Sequence, residues 1–174
     1  MYTIIMMSEI IIHIDGSPGK PKENHGYLCV YINNECILKR IYPKPTSNQA
    51  EFLALIKALE ILQQRNIREF KLFSDSKLLV NGINGQYSIQ HDNIKYLNSM
   101  ARDKLKDFFD YEIAWIGRKY NRAGYKLDHL RRPGKKPGCG EFEKKFHYKG
   151  DRRPDRLERT DWVPLKAFSK NKVF

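Results

Sequence analysis

Three acidic residues of the chain lie where hydrophobic segments begin or end, and together they could bind a divalent cation. Asp15 ends the apolar run 10–14, Asp75 follows the short run 70–74, and Glu51 lies in the first turn of a predicted helix. A carboxylate at the end of a buried strand is poorly solvated and costs free energy unless a positive group binds it. Carboxylate oxygens are the hard ligands that Mg²⁺ and Mn²⁺ prefer. The three residues therefore predict a metal site, with Mg²⁺ the expected ion and Mn²⁺ an alternative.

The elements that position these carboxylates follow from hydrophobic periodicity and turn residues. The predicted order is β-β-β-α-β-α-α-β-α, over residues 10–14, 26–32, 35–41, 47–65, 69–74, 76–83, 92–109, 111–116 and about 121–130. A strand–helix–strand crossover joins parallel strands in a right-handed sense, so the fourth strand should pair parallel with the first. The predicted fold class is α/β, a mixed five-stranded sheet flanked by helices.

Charge and length indicate one domain with a basic extension. The chain has 174 residues, 41% of them hydrophobic, and a formal net charge of +12. Such a length supports one domain with a sizeable core, and the charge favours a polyanionic partner, with nucleic acid the first expectation. Residues 1–130 contribute +4 and residues 131–174 contribute +8. We therefore predict one folded domain over 9–130 and a basic C-terminal tail over 131–174.

The state of the tail and the cellular location are predicted from periodicity, cysteine spacing and the length of apolar runs. Beyond residue 132 no sustained period remains, so we expect the tail to be extended or disordered until it binds nucleic acid, or a protein partner through Trp162 or Phe168. Three cysteines without a CxxC pair predict neither a zinc site nor a disulfide framework. The first residues lack a basic n-region, and no apolar run approaches the ~18 residues that span a membrane. We expect a cytoplasmic protein without membrane contact, and a monomer.

The element order and four short stretches resemble type 1 ribonuclease H over about residues 9–130. The matching stretches are 14–17, 48–55, 74–81 and, more weakly, 115–121. The resemblance implies hydrolysis of the RNA strand of RNA–DNA hybrids by two Mg²⁺ ions about 4 Å apart. It further implies that Asp15 bridges both ions, that Asp75 completes the ion that activates water, and that Glu51 binds the ion on the leaving-group side.

The fourth carboxylate of the family is displaced in this chain. The family opens its last helix with Asn-x-x-Ala-Asp, whereas residues 121–125 read Asn-Arg-Ala-Gly-Tyr, which places Tyr125 at the acidic position. Asp128 follows three residues later, on nearly the same helical face. We hypothesise that Asp128 supplies the missing ligand. The alternative is that Asp128 is a surface residue and that three carboxylates bind the metal.

The resemblance also predicts contacts with the substrate. The loop after the first strand and the residues before Glu51 would touch the minor groove of the hybrid, where short polar groups can read 2′-hydroxyls. Lys77 would act by charge, and Arg118 and Asn121 are candidate phosphate contacts. For Asn48 the alternative is a helix N-cap, and for Arg118 and Asn121 it is a solvated surface. The full candidate set is Gly16, Ser17, Ser47, Asn48, Gln49, Lys77, Arg118 and Asn121.

Two other functions fit the same residues. A relative with this fold could cut another nucleic acid, such as a DNA junction or double-stranded RNA. Alternatively, the fold could persist as a nucleic-acid-binding module whose catalysis has weakened, which Tyr125 favours and the intact Asp15, Glu51 and Asp75 oppose. Fold alone does not decide among them.

Overall fold

A computed structural model describes residues 9–131 and 162–164, with side chains over 9–130. Its strands are β1 (Ile11–Ser17), β2 (Gly26–Ile32), β3 (Glu35–Tyr42), β4 (Glu69–Ser74), β5 (Asp110–Trp115) and β6 (Trp162–Pro164). Its helices are α1 (Ser47–Gln64), α2 (Lys77–Ile83), α3 (Asp92–Leu105) and α4 (Arg122–Arg131), with a 3-10 turn at Arg118–Tyr120 before α4. The predictions on the first residues, on Cys139 and on most of the tail lie outside the described residues.

The strands form one mixed sheet in the order β5-β4-β1-β2-β3-β6. β1 pairs antiparallel with β2 and β2 with β3, whereas β4 lies parallel to β1 and β5 parallel to β4. The predicted α/β class, the element order and the parallel crossover are confirmed. β6 was not predicted: three residues of the tail pair parallel with the outer edge of β3. They add a sixth strand to the five that the pattern of residues 9–130 predicts.

Helices cover both faces of the sheet. The larger core lies between the sheet and α1, α2 and α3, and its members include Ile12, Ile14, Phe52, Leu72 and Leu97. A smaller cluster packs α4 against β2 through Cys29, Tyr31, Ala123 and Leu127. β1 is therefore buried on both sides, as its unbroken apolar run predicts. Within the described residues, no helix is long and apolar enough to cross a membrane.

A hairpin turn and a helix cap set the positions of β2, β3 and α1. Asn33 has a φ of 51° in the hairpin between β2 and β3, as the Asn-Asn pair predicts. The cap of α1 is a correction: Thr46, not Asn48, is the N-cap. The Thr46 hydroxyl accepts from the Gln49 N–H at 3.2 Å, and the Gln49 side chain accepts from the Thr46 N–H at 2.9 Å. This reciprocal pair satisfies two N–H groups that a cap at Asn48 would leave open.

Candidate active site

Three elements deliver the three predicted carboxylates to one edge of the sheet. Ile14 of β1 pairs with Ser74, the last residue of β4, so Asp15 on β1 and Asp75 just after β4 follow at the same level. Glu51 projects from the first turns of α1. One ligand atom from each of the three side chains lies within 4.8 Å of the others. The convergence predicted from sequence is thus present in the fold.

Close contact between β1 and α1 holds Glu51 beside Asp15. Gly16 packs so tightly on the start of α1 that a Cβ at this position would lie 2.1 Å from the Ala50 carbonyl carbon and 2.4 Å from the Glu51 nitrogen. Both atoms belong to the helix backbone, which cannot move aside like the end of a flexible side chain. Gly16, predicted as a substrate contact, therefore has a packing role that positions Glu51 beside Asp15.

We expect Gly16→Ala to destabilise the protein and to separate Glu51 from Asp15. Overpacking a tight contact costs about 1–3 kcal/mol or more, because the backbone must shift. Thermal unfolding and Mg²⁺ titration of the variant measure the two effects. Gly117→Ala is the control, since its Cβ would meet only Tyr120 Cδ2 at 3.6 Å, an ordinary contact. Equal melting temperatures for the two variants would contradict the close-packing argument.

Burial makes the carboxylate cluster electrostatically unfavourable without a cation. Only 1% of Asp15 is exposed. Burial, followed by the nearby charge of Asp75, raises the pKa of Asp15 to about 7 despite the opposing effect of Arg118. Burial and the charges of Asp15 and Asp75 raise the pKa of Glu51 to about 9. Among the described residues, Asp15 Oδ1 and Glu51 Oε2 are buried without a hydrogen-bond partner. Two unpartnered carboxylate oxygens in one cluster of acidic residues are what a divalent cation would satisfy.

Arg118 supplies positive charge at this point. Its Nη1 lies 2.9 Å from Asp15 Oδ2 and 2.8 Å from Asp75 Oδ2, and its Nη2 lies 3.0 Å from Asp128 Oδ1. Burial disfavours the charged guanidinium, but the carboxylates outweigh that effect and raise the pKa of Arg118 above its ordinary value. Sequence analysis predicted Arg118 as a phosphate contact and missed its bonds to the acidic residues.

Two neighbours determine where Arg118 and Asp75 lie. Gly124 of α4 leaves room for the guanidinium, since a Cβ there would approach Arg118 Cζ and Nη1 to 3.0 Å. Asn121 is fully buried, and its amide donates to Asp75 Oδ1 at 2.8 Å and to the Ile14 carbonyl at 2.9 Å. Asn121 therefore orients Asp75 and ties it to β1. A phosphate contact by Asn121 has no support from this geometry.

Asp128 lies beside the cluster and contacts it through Arg118. The group of close acidic ligands among the described residues comprises Asp15, Glu51 and Asp75. The Asp128 side chain is 47% exposed, whereas that of Asp75 is 9% exposed. The Tyr125 ring packs edge-on against His129, with centroids 4.6 Å apart. Asp128 therefore shares the guanidinium of Arg118 with Asp15 and Asp75. That it also serves as the fourth metal ligand stays a hypothesis.

We predict that Asp128→Asn lowers activity about tenfold at low Mg²⁺ and much less at high Mg²⁺. Loss of a supporting carboxylate typically weakens metal affinity 10- to 100-fold. Cleavage rates across a Mg²⁺ titration measure the effect. The double variant Asp128→Asn with Tyr125→Asp, which restores an acid at the family position, should regain part of the low-Mg²⁺ activity. Near-wild-type activity of Asp128→Asn at low Mg²⁺ would refute the role.

The remaining predicted contacts surround the cluster. Ser47, Asn48 and Lys77 are exposed, which leaves them free to reach a substrate. Ser17 is buried, and its hydroxyl accepts from the Gly19 N–H at 3.3 Å, so it stabilises the loop after β1. Gln49 is engaged in the N-terminal cap of α1. Some of the predicted substrate residues therefore have structural roles that a motif cannot distinguish from binding.

Comparison with known proteins places the chain in a family. Residues 32–129, more than half of the chain, match the family described as reverse transcriptase-like. Ribonuclease HI of Halobacterium salinarum is 31% identical over 78 residues, which cover 45% of this chain and 39% of that protein. The chain spans 34–39% of the length of the curated relatives that it matches.

Solved structures agree on the fold. RNase H1 from the halophilic archaeon Halobacterium salinarum has a TM-score of 0.60 and 22% identity, over 68% of this chain and 93% of that chain. LC11-RNase H1 in complex with an RNA/DNA hybrid has a TM-score of 0.57 and 22% identity over the same shares. The fold class predicted from the sequence and the resemblance to ribonuclease H are confirmed. The chain has the ribonuclease H fold and belongs to the reverse transcriptase-like family.

Proposed function

We propose that the protein is a metal-dependent endonuclease that hydrolyses the RNA strand of RNA–DNA hybrids. The observation that carries the proposal is the convergence of Asp15, Glu51 and Asp75 at one edge of a ribonuclease H fold. Buried carboxylates that lack both water and full hydrogen bonding are unfavourable, and such perturbed groups cluster at functional sites. The family and its named relatives support a nuclease of the ribonuclease H type.

The donor set fits Mg²⁺. All three side chains offer hard oxygen ligands, and Asp15 Oδ1 and Glu51 Oε2 are available for a cation. A pair of such ions, when bound, polarises the phosphate and stabilises both the attacking and the leaving oxygen. Asp15, Glu51 and Asp75 would hold the ions, with Asp128 as the proposed fourth ligand. Asn121 would keep Asp75 in place, and Gly16 would keep Glu51 at its distance from Asp15.

The substrate proposal rests on charge and on the polar groups around the site. Ser47 and Asn48 are exposed at the start of α1, on the element that carries Glu51, where they could reach the 2′-hydroxyls that distinguish RNA from DNA. Lys77 is exposed two residues beyond Asp75, at the start of α2. The net charge of +12 provides the attraction for phosphates that nucleic-acid binding requires. One neighbouring structure is described as a complex with an RNA/DNA hybrid.

The test is cleavage of a hybrid labelled on its RNA strand. Single-stranded RNA, duplex RNA, duplex DNA and a four-way DNA junction are assayed in parallel, each with Mg²⁺, Mn²⁺ or EDTA. Metal-dependent cutting of the hybrid's RNA strand, with the other substrates intact, is the expected result. Preferential cutting of duplex RNA or of a DNA junction would instead identify a nuclease of the same fold with another substrate.

A binding module without catalysis is the second candidate, and Arg118 favours it. Its guanidinium already compensates part of the negative charge by bonding Asp15, Asp75 and Asp128. Together with Tyr125 at the family's acidic position, this arrangement could stabilise a site that no longer needs metal. Tight hybrid binding with no cutting under either metal would establish this alternative. A pure binder would also be indifferent to Asp15→Asn.

A further inference from the structure

An exposed aromatic ring lies directly beside the carboxylate cluster. Trp115 ends β5 and pairs with Ser74, the residue before Asp75. Its indole N–H donates to the Asp75 carbonyl at 3.2 Å, which fixes the ring at this edge. Yet 49% of the residue is exposed. An aromatic ring held in place beside the site, with half of its surface in water, offers a flat face on which another ring can stack.

Lysines accompany this ring and a second one. Lys77 Nζ, from the first turn of α2, lies 5.0 Å from the Trp115 ring centroid. After Arg118, Lys119 Nζ lies 4.7 Å from the ring centroid of Tyr120, which is 45% exposed. Each pair presents an aromatic face and an ammonium group together, on the segments that carry Asp75 and Arg118. The Trp115 ring bonds the backbone carbonyl of Asp75 and not its carboxylate.

This combination matches the chemistry of unpaired nucleotides. A base offers a flat face that stacks on an aromatic ring, and the adjoining phosphate is attracted to an ammonium group. Inside a duplex the base faces are already stacked on one another, so a surface ring reaches only unpaired bases. We propose that Trp115 and Lys77, with Tyr120 and Lys119 as a second pair, bind single-stranded nucleotides that lead out of the hybrid. The inference rests on the proposed function in one respect, that the adjoining site acts on nucleic acid.

The direct test compares hybrids with and without a single-stranded extension. Full-length protein in EDTA, which prevents cutting, is titrated by fluorescence anisotropy with a blunt hybrid and with hybrids extended on either strand at either end. We expect at least one extension to tighten binding by about tenfold, as one stacked base does. Trp115→Ala should abolish that advantage, whereas Trp115→Phe, which keeps a ring, should retain most of it. Phe109→Ala is the matched control, since this aromatic is 86% exposed at the opposite end of β5.

Two further measurements report separately on base stacking at Trp115 and on the phosphate contact of Lys77. The chain has two tryptophans, so Trp162→Phe leaves Trp115 as the single tryptophan, and a single-stranded oligonucleotide should quench its fluorescence under excitation that is selective for tryptophan. Lys77→Gln should reduce the slope of log affinity against log salt by about 1 for the extended hybrid. Neither readout requires cleavage, so a failure of the proposed hydrolysis would leave both informative.

Three results would overturn the inference. The first is an equal affinity for blunt and extended hybrids in the wild-type protein. The second is loss of the extension advantage in Trp115→Phe as fully as in Trp115→Ala, which would assign the effect to the hydrogen bond with Asp75. The third is the absence of Trp115 quenching by single strands at concentrations where anisotropy reports binding. Cutting of blunt hybrids alongside any of these would leave the proposed function standing.

Discussion

Replacing Asp15 by asparagine is expected to lower hybrid cleavage at least about a thousandfold while the fold stays intact. Asp15 is 1% exposed and shares its surroundings with Glu51 and Asp75, so Arg118 compensates its charge only in part and a metal ion is needed to complete the compensation. The loss of several kcal/mol of metal-derived charge stabilisation corresponds to that factor in rate. Single-turnover cleavage with saturating Mg²⁺ measures it.

The same substitution should make the metal-free protein more stable above pH 7. Burial raises the pKa of Asp15 to about 7, which means that the folded state disfavours the charged form. Asparagine has nearly the same shape and carries no charge, so that cost disappears. Thermal unfolding in EDTA at pH 8 should therefore show a higher melting temperature for the variant. A less active but more stable variant is the pattern typical of a functional residue.

Asp110→Asn provides the matched control. Asp110 is exposed at the amino end of β5, at the sheet edge opposite the carboxylate cluster. The change is chemically the same and should leave both cleavage and stability close to wild type. If Asp15→Asn retained cleavage within tenfold of wild type, the three-carboxylate site would not be the catalytic centre, and the binding-module alternative would be favoured.

The carboxylate cluster could be predicted from sequence because its signals are local. Asp15 and Asp75 end apolar runs, and the order of elements predicts that the two runs are parallel neighbours. The strand Glu69–Ser74 was predicted with its observed bounds, and β1 extends three residues beyond the predicted end. These signals depend on residue type over a few positions, which is the range over which periodicity is informative.

Arg118 could not be predicted in the same way. Its bond to Asp15 joins residues 103 positions apart, and no local pattern tells an arginine that binds phosphate from one that binds carboxylates. The sequence also does not show that Gly124 leaves space for the Arg118 guanidinium. The N-cap of α1 was also not identified from sequence. Thr46 and Asn48 are both residue types that cap helices, and only their positions in the folded chain decide between them. Long-range contacts among polar side chains are thus where the sequence carries least information.

Arg118→Met is expected to make the protein depend on Mg²⁺ for its stability. Without the guanidinium, Asp15 and Asp75 lose the positive group that lies 2.9 and 2.8 Å from their oxygens. Breaking a buried pair by removing one partner costs 3–5 kcal/mol, but 45% of the Arg118 side chain is exposed, so screening reduces this to about 1–3 kcal/mol. Chemical unfolding at pH 8 in EDTA and in Mg²⁺ measures the loss and its reversal.

The folding stability of the metal-free protein should increase as the pH falls. The pKa of Asp15 is about 7 in the folded protein and 3.8 ordinarily, so between these values the folded state binds a proton that the unfolded chain does not. The metal-free protein therefore gains stability as pH falls from 8 towards 4. Arg118 lowers the pKa of Asp15, so this pKa should be higher in the variant. Once Asp15 is protonated, the folded variant no longer carries the buried charge that the arginine compensates. Its deficit relative to wild type should be largest at pH 8 and smaller at pH 5.

Arg65→Met separates this effect from the general loss of an ion pair. Arg65 makes two bonds to Glu35, at 2.6 and 2.8 Å, with an exposed fraction of 38% that is close to that of Arg118. A surface pair of this kind contributes about 0–1 kcal/mol, and its loss should be indifferent to Mg²⁺. If Arg118→Met behaved like Arg65→Met, with a small deficit that Mg²⁺ does not reverse, the guanidinium would not be compensating the cluster. If instead Mg²⁺ restored the Arg118 variant alone, the arginine and the metal would be shown to stabilise the same carboxylates, because each could then replace the other.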